Sequence, residues 1–354
     1  MSGASASPLP SAPREGPPVH VRAAVDADEP EVLALLEAAL GPGPTGRRSP
    51  AFFRWKHRRN PFGASQALVA EAPDGQVVGF RTLLRWRFRA GEQRIEAVRA
   101  VDTATHPQWQ GRGVFSRLTA AAREQHRHDH DLIFNTPNAR SLPGYRKLGW
   151  QVVGQVPVRL RPLRPLRLAR GVRSARAADG AATPLSDWAW RPAREVLADR
   201  AATQDLLDAA AEDGRLRTDH DARSLAWRYA DCPDLDYRAL PARDRDGRLH
   251  GLAIGRLRAR GGLRELALAE VLVRAGDART ARGLLRAAAR SGADHVTTVM
   301  PPGSEAADQA LRAGYVTAPA QGPILVANPL SDRLPLDPAS LTSWRLTLGD
   351  LEVL

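Results

Sequence analysis

The stretch QWQGRG, residues 108–113, lies between two segments with different hydrophobic patterns. VRAVDTATHP before it is apolar and β-branched in its first half, whereas VFSRLTAAAREQH after it is apolar at helical spacing. Gly111 and Gly113 therefore fall where a predicted strand gives way to a predicted helix. Free N–H groups at a helix N-terminus attract anions, glycines let the backbone approach them closely, and Arg112 adds charge. The stretch predicts a pyrophosphate-binding turn, with a plain tight turn as the alternative.

The segments around this turn predict a mixed α/β sheet. DADEPE suits a helix N-terminus because carboxylates there meet free N–H groups, and an Asp-Gly pair between apolar segments predicts a hairpin. The predicted elements are a strand at 19–24, a helix at 26–40, an irregular aromatic and basic segment at 50–63, a hairpin of 66–72 with 76–88, a strand at 93–105, a helix at 113–128, a strand at 132–136, a short helix at 139–147 and a strand at 150–160.

The chain also repeats itself. Shifting the region around residue 55 by 172 positions brings five residues into coincidence without a gap: Trp55 with Trp227, Pro61 with Pro233, Asp74 with Asp246, Gly75 with Gly247 and Gly79 with Gly251. Two tryptophans in phase with two hairpin turns indicate a duplicated domain, because this period is too long for a solenoid. We therefore predict a disordered tail at 1–17, a first domain at 18–160, a basic linker at 161–183 and a second domain at 184–354.

Composition narrows the possible functions. The chain has 354 residues and a net charge of +12, which favours either a solvated basic surface or anionic partners such as phosphorylated cofactors or RNA. A single cysteine, Cys232, excludes an intramolecular disulfide and a cysteine metal cluster. Neither a membrane span nor the apolar core of a signal peptide is evident. We therefore expect a cytoplasmic protein that does not associate with membranes.

Two motifs resemble those of the GNAT superfamily of acyl-CoA-dependent N-acyltransferases. Its motif Q/R-x-x-G-x-G/A at a strand-to-helix junction matches Gln108, Gly111 and Gly113. Its second element is an asparagine, a tyrosine seven residues later and then K-x-G-aromatic, and it matches NARSLPGYRKLGW, residues 138–150. A dinucleotide-binding motif fits less well because position 116 is serine where a third glycine is needed.

The resemblance implies two tandem GNAT-like domains, the second a degenerate copy that no longer binds CoA. The corresponding junction there, EVLVRAGDARTARGLL, lacks Gly-x-Gly, and Asp277 would repel a pyrophosphate. Acetyl-CoA or another acyl-CoA is then the co-substrate, with no metal. The residues that the resemblance assigns to cofactor binding are Thr103, Ala104, Thr105, Gln108, Gln110, Gly111, Arg112, Gly113, Val114, Phe115 and Asn138.

The resemblance also implies direct acyl transfer to a neutral amine. Tyr145 is implied as the acid that protonates the leaving thiolate. The general base stays open: Asp102 is preferred and Glu96 is second, and these residues share one face of a regular strand unless a bulge separates them. Asn138 is expected to hold CoA or the start of a helix. The acceptor is expected to contact a segment after the first helix, namely Phe52, Phe53, Trp55, His57, Arg58 and Arg59, although the repeat suggests that Trp55 is structural.

Three functions remain possible at this point. The leading one is an N-acyltransferase that acts on the primary amine of a small molecule. The alternatives are an aminoacyl-tRNA-dependent transferase of Fem type, which the basic charge favours and the intact QWQGRG turn disfavours, and a non-catalytic acyl-CoA-binding protein. Nucleic acid is therefore a possible partner but not the favoured one. HRHDHD, residues 126–131, resembles a metal-binding run, but without a second cluster it is interpreted as a solvated helix C-terminus.

Overall fold

The computed structural model describes residues 18–42, 48–177, 183–184, 188–260, 262–318 and 322–351, so the predicted tail at 1–17 lies outside the described residues. Most elements of the first half lie within two residues of their predicted bounds. They are β1 (His20–Ala23), α1 (Glu29–Leu40), α2 (Pro50–Arg58), β2 (Gln66–Glu71), β3 (Val77–Ala90), β4 (Gln93–Thr105), α3 (Val114–His126), β5 (Leu132–Asn135), α4 (Leu142–Lys147) and β6 (Gln151–Gln155).

The rest of the chain builds a second set of strands and helices in a similar order. It comprises β7 (Val158–Pro162), α5 (Pro165–Ala177), β8 (Thr183–Pro184), β9 (Arg191–Pro192), α6 (Ala193–Val196), α7 (Arg200–Asp208), β10 (Arg217–Thr218), α8 (Ala222–Tyr229), β11 (Tyr237–Arg243), β12 (Leu249–Arg260), β13 (Leu263–Val273), α9 (Ala278–Ala288), β14 (His295–Thr298), α10 (Glu305–Ala310), β15 (Val316–Ala318), β16 (Ile324–Pro329) and α11 (Leu348–Leu351).

The two halves form two mixed sheets that exchange a strand. The first sheet has the order β1-β2-β3-β4-β5-β16-β6, and the second has the order β15-β7-β14-β13-β12-β11-β9. In each sheet one central pair is parallel, β4 with β5 and β13 with β14. Strand β7, which directly follows β6 of the first half, lies inside the second sheet, and β16 from near the C-terminus lies inside the first. The chain therefore does not pass from one sheet to the other at a single point.

The basic segment at 159–176, which overlaps the linker predicted at 161–183, has more regular structure than a linker needs. Its beginning is β7, which pairs on both sides, with β14 and with β15. Its remainder is mostly α5. The pattern RLRPL indicates a strand, but it does not indicate which sheet that strand joins.

Helix α2 replaces the irregular segment that was predicted at 50–63. Ser49 caps it by accepting a hydrogen bond from the Phe52 backbone N–H at 3.1 Å, and Pro50 occupies the first turn, where proline is well tolerated. The Ser-Pro pair at 49–50 is therefore the feature of the sequence that marks the start of α2. The buried side of the helix carries Phe52 and Trp55.

The tryptophans of the repeat contact each other across the two halves. The Trp55 Nε1–H donates to the Trp227 carbonyl at 2.9 Å, and the Trp227 Nε1–H donates to the Trp55 carbonyl at 3.1 Å. Their rings stack with centroids 5.0 Å apart, and both side chains are buried. Such reciprocal contacts are expected when two copies of one unit meet about a twofold axis. The prediction that Trp55 is structural agrees with this contact.

Helices cover both faces of the first sheet. Val32, Leu35 and Leu36 of α1 pack with Phe80 and Ala104 on one face. The start of α3 packs on the other face, in a cluster that includes Val78, Val98, Val114, Leu118 and Tyr145. Within the described residues, the helices are too short or too polar to cross a bilayer.

The paired glycines of the repeat permit close helix packing, which leads to a stability prediction. A Cβ at Gly79 would lie 2.5 Å from Val114 Cγ1 and 2.9 Å from Leu118 Cδ1, and one at Gly251 would lie 2.6 Å from Thr280 Cγ2. We expect Gly79→Val to lower the free energy of unfolding by about 1–3 kcal/mol, because α3 must move off β3. Urea unfolding measures this change.

Gly283 provides the control for that prediction. It is an exposed residue within α9, and a Cβ there would have no heavy atom within 4 Å. Gly283→Ala should raise the free energy of unfolding by about 0.5–1 kcal/mol. A Gly79→Val variant as stable as the parent protein would contradict the packing described for α3.

Candidate active site

A groove opens in the first sheet where two parallel strands separate. β4 and β5 pair from Ala97 to Arg99, beyond which β4 continues to Thr105 without β5 beside it. The groove has a volume of about 540 Å³ and runs from the end of α1 to the start of α4. Its lining comprises Ala39, Leu40, Ala100, Val101, Asp102, Thr103, Ala104, Thr105, Gln110, Phe115, Asn135, Thr136, Pro137, Asn138, Arg140, Ser141, Gly144 and Tyr145.

The glycine turn lies next to this groove and leads into α3. Gly111 and Gly113 have φ angles of +75° and +78°, a region that only glycine occupies readily. Gly113 precedes the first helical residue, and no side chain caps the helix. The first N–H groups of α3 therefore have no partner within the helix and remain available to an anion.

The equivalent turn of the second half already holds a carboxylate. Asp277 precedes α9, and its side chain accepts a hydrogen bond from the Thr280 backbone N–H at 2.9 Å. The other oxygen of the same carboxylate lies 3.3 Å from His250 Nδ1. An anion approaching this helix would meet a negative charge that already occupies the N-terminal position.

Tyr145 presents its hydroxyl to the groove from α4. Its oxygen accepts a hydrogen bond from Asn135 Nδ2 at 2.9 Å, while Asn135 Oδ1 accepts from the Thr136 backbone N–H at 2.7 Å. The two contacts of Asn135 fix the orientation of its amide, so Tyr145 can act only as an acceptor towards it. The hydroxyl proton of Tyr145 therefore remains available to a group in the groove. Sequence reasoning missed Asn135, although a polar residue that ends the apolar run LIF was a usable signal.

A buried guanidinium lies behind Tyr145. Arg81 is 1% exposed, and its Cζ lies 5.6 Å from the centre of the Tyr145 ring and 5.7 Å from that of Phe115. In the described part of the chain, no carboxylate forms a salt bridge with Arg81. A positive charge in this position stabilises negative charge on the phenol oxygen or on a nearby thiolate. Arg81 was another residue that the sequence analysis did not single out.

Asp102 lies on a bulge that turns it towards α2. The pairing of β3 with β4 shifts register between Phe80 and Thr82, and Asp102 has a φ of +44°, which is uncommon for a residue other than glycine. One carboxylate oxygen lies 2.7 Å from Lys56 Nζ and 2.9 Å from His57 Nε2, and the other lies 3.6 Å from an Arg48 nitrogen. Burial opposes ionisation, but Lys56 and His57 hold the pKa of the Asp102 carboxyl well below its usual range.

His57 extends this cluster away from the groove. Burial lowers the pKa of His57, so the ring is neutral near pH 7. Because ionised Asp102 can only accept, His57 Nε2 carries the proton, and Nδ1 accepts from Ser65 Oγ at 3.0 Å. His57 and Ser65 line a separate pocket of about 210 Å³ beneath α1. The sequence analysis placed His57 among acceptor contacts, whereas the structure places it behind Asp102.

The bulge separates the two candidate bases, as the sequence analysis anticipated for this strand. Glu96 lies outside the groove and pairs with Arg87 at 2.7 Å.

The predicted cofactor-binding residues fall into two groups. Those that line the groove are Thr103, Ala104, Thr105, Gln110, Phe115 and Asn138, and those that form the adjoining turn and helix start are Gln108, Gly111, Arg112, Gly113 and Val114. Asn138 Oδ1 accepts from the Arg140 and Ser141 backbone N–H groups and so holds the start of α4.

The histidine-rich run at 126–131 is not the solvated helix end that was predicted. His126 and His130 are 1% and 4% exposed, and their Nδ1 atoms lie 3.2 Å apart. Helix α3 ends at His126, and the His130 backbone N–H donates to the His126 carbonyl at 3.2 Å, so the turn after the helix brings both imidazoles inward while His128 remains at the surface. Two histidines alone do not complete a metal site.

Comparisons with known proteins agree with this geometry. Residues 20–153 match the model of the acetyltransferase (GNAT) domain. A probable N-acyltransferase from Enterococcus faecalis V583 superposes with a TM-score of 0.63 at 12% identity, over 89% of this chain and 73% of that one. GCN5-related N-acetyltransferases from Anabaena variabilis (TM-score 0.62, 13% identity, 89% and 73%) and Kribbella flavida (0.59, 17%, 88% and 72%) superpose similarly. At these identities the likeness concerns the fold. No curated protein sequence matches the chain.

Proposed function

We propose that the chain is a GNAT-type acyltransferase that acylates the primary amine of a small molecule, and the match of residues 20–153 to the acetyltransferase (GNAT) domain supports this. We propose acetyl-CoA as the donor. The observation that carries the proposal is the groove between β4 and β5, which has an uncapped helix N-terminus beside it and the Tyr145 hydroxyl in its wall. The helix N-terminus can bind the pyrophosphate of the donor, and the Tyr145 hydroxyl can protonate the thiolate that leaves at the other end.

The donor would bind along the exposed edge of β4. Backbone groups from Thr103 to Thr105 have no β5 partner and can pair with the amides of the pantetheine arm. The pyrophosphate would then meet the free N–H groups of Val114 and the next residues of α3. The exposed Arg112 guanidinium adds a charge at this rim, held 5.1 Å from the Trp109 ring.

Tyr145 would complete the transfer as an acid. As the amine nitrogen bonds to the thioester carbon and the carbon–sulfur bond breaks, the leaving thiolate takes the Tyr145 proton. Asn135 holds the resulting phenolate oxygen with its N–H group, and the Arg81 charge lies close to the ring. The phenol recovers its proton from solvent as the product leaves.

Asp102 would position the acceptor. A carboxylate that Lys56 and His57 keep ionised is suited to holding an ammonium group and poorly suited to accepting a proton. We therefore propose that Asp102 draws the amine to the groove and that solvent accepts the amine proton. This role differs from that of the general base for which the sequence favoured Asp102.

Acetyl-CoA binding tests the donor site directly. Isothermal titration calorimetry of the parent protein should give one site per chain. Gly113→Glu should weaken binding at least about a hundredfold, because it places a carboxylate where the pyrophosphate binds and forces a side chain into positive φ. Incubation with a panel of primary amines should then yield acetylated product.

Gly276→Glu is the matched control for Gly113→Glu. Gly276 also has a positive φ of +77° and lies at the corresponding turn before α9. The substitution makes the same change of charge and backbone freedom at this turn. The affinity for acetyl-CoA should stay within about twofold of the parent value, because Asp277 already excludes an anion from the N-terminus of α9. Two acetyl-CoA sites per chain would contradict a degenerate second copy. No binding would contradict the proposed donor, and binding without turnover on any amine would favour an acyl-CoA-binding protein.

A further inference from the structure

A second cluster of reactive groups lies outside the groove, where the two halves of the chain meet. His220 follows β10, Glu270 lies on β13, and Asp350 belongs to α11. One ligand atom from each of the three lies within 4.8 Å of the others. Glu270 and Asp350 are 1% and 2% exposed, so three separate stretches of chain bring two carboxylates and an imidazole into the interior.

Most carboxylate oxygens of this cluster already accept hydrogen bonds, including Asp350 Oδ1, which accepts from Thr218 Oγ1 at 2.6 Å. Glu270 Oε1 accepts from the Tyr229 hydroxyl at 2.6 Å and from Thr347 Oγ1 at 2.9 Å. Asp350 Oδ2 accepts from the Thr347 backbone N–H at 2.8 Å. Hydrogen bonds of this kind fix the direction of the remaining ligand atoms in metal sites.

The contacts of Ser224 determine which nitrogen of His220 carries the proton. Ser224 Oγ donates to the Asp221 carbonyl at 2.9 Å, so it can only accept from His220 Nδ1, which lies 3.3 Å away. The Nδ1 atom therefore carries a proton, and Nε2 is the ring nitrogen left to bind an ion. The Nε2 atom lies 3.7 Å from Asp350 Oδ1, which is too far for a hydrogen bond.

Two buried atoms at the centre are left without a partner. Neither His220 Nε2 nor Glu270 Oε2 has a hydrogen bond within the described residues. A buried acceptor that lacks a donor is costly, and a cation between the three groups would satisfy all of them.

We propose that His220, Glu270 and Asp350 bind a divalent transition-metal ion, with Zn²⁺ as the best match. One imidazole nitrogen and two carboxylate oxygens suit zinc, whereas magnesium prefers ligand sets of oxygen alone. At metal–ligand distances of about 2.0–2.2 Å, a tetrahedral ion places its ligand atoms about 3.3–3.6 Å apart, so the three groups must draw together from within 4.8 Å to hold it. None of the three residues lines the groove, and the ion fastens the C-terminal segment and β13 to the stretch after β10.

Zinc titration of the full chain, stripped of metal by a chelator, tests this site without any assay of activity. We expect one Zn²⁺ per chain in calorimetry, a higher melting temperature with zinc than with the chelator, and no comparable effect of Mg²⁺. Glu270→Gln keeps an oxygen that can accept from Tyr229 and Thr347 but removes the charged ligand, and His220→Ala removes the nitrogen. Each should weaken zinc binding at least about a hundredfold, which is more than the loss of a hydrogen bond from a neighbouring residue to a ligand would cause.

His250→Ala is the control for nonspecific binding by histidine and carboxylates. His250 also has two carboxylate neighbours, but Asp244 lies at its Nε2 and Asp277 at its Nδ1, on opposite sides of the ring. Three such groups cannot share one ion, so His250→Ala should keep full zinc affinity. The proposal is overturned if the parent protein shows no saturable zinc binding, or if Glu270→Gln and His220→Ala bind zinc as tightly as the parent protein does. The melting temperature of folded Glu270→Gln should not respond to zinc.

Discussion

Tyr145→Phe is expected to lower kcat for acyl transfer by about 10²–10⁴-fold while leaving the Kd for acetyl-CoA within about twofold. The substitution removes only the hydroxyl. The ring keeps its edge contacts with Phe115 and Trp150, at centroid distances of 5.5 and 4.7 Å, so the wall of the groove is preserved. Without the hydroxyl, the thiolate must leave unprotonated or take a proton from water. Single-turnover rates with an identified amine, measured beside calorimetry of acetyl-CoA, separate chemistry from binding.

Tyr315→Phe is the control for the loss of a buried hydroxyl. Tyr315 follows α10 as Trp150 follows α4, and its hydroxyl donates to the Leu285 carbonyl at 3.1 Å in the core of the second half. Burial raises the pKa of Tyr315, and the residue is not part of the groove lining. This variant should lose about 1 kcal/mol of stability and keep its kcat. An unchanged single-turnover rate in Tyr145→Phe would show that another group protonates the thiolate.

Local sequence signals were sufficient for the elements that build the groove. The strand predicted at 93–105 has the same bounds as β4, and the helix predicted at 113–128 contains α3. Both depend on short-range properties, namely the change of hydrophobic period at the glycines and the conformations that only glycine adopts readily. The roles assigned to Tyr145 and Asn138 came from the resemblance to the GNAT family and stay predictions.

Contacts between distant segments were not predictable in this way. A pattern of apolar residues indicates a strand at 158–162 or 324–329, but pairing partners depend on the sheet that offers an open edge. The cluster around Asp102 depends on a bulge and on α2, which itself was missed. His220, Glu270 and Asp350 lie far apart in the chain, so no spacing rule could bring them together.

The stacked tryptophan pair should stabilise the contact between the two halves. Trp55→Ala and Trp227→Ala should each lower the free energy of unfolding by about 3–5 kcal/mol, because each removes a buried indole. Each also leaves the partner tryptophan without its ring contact and leaves the partner's backbone carbonyl without its Nε1–H donor. The double variant should therefore lose less than the sum of the single losses, with a coupling of about 1–3 kcal/mol.

Trp188→Ala provides the reference for additivity. Trp188 is also buried and lies beside another tryptophan, Trp190, at a centroid distance of 5.0 Å, but it belongs to a different core cluster from Trp55. The decreases in the free energy of unfolding caused by Trp188→Ala and Trp55→Ala should add within about 0.5 kcal/mol, since distant sites without shared partners behave independently. Urea unfolding of the single and paired variants gives the free energies of unfolding that are compared for Trp55 with Trp227 and for Trp55 with Trp188. If Trp55→Ala and Trp227→Ala also add, each indole stabilises its own half, and the reciprocal hydrogen bonds do not couple the two copies energetically.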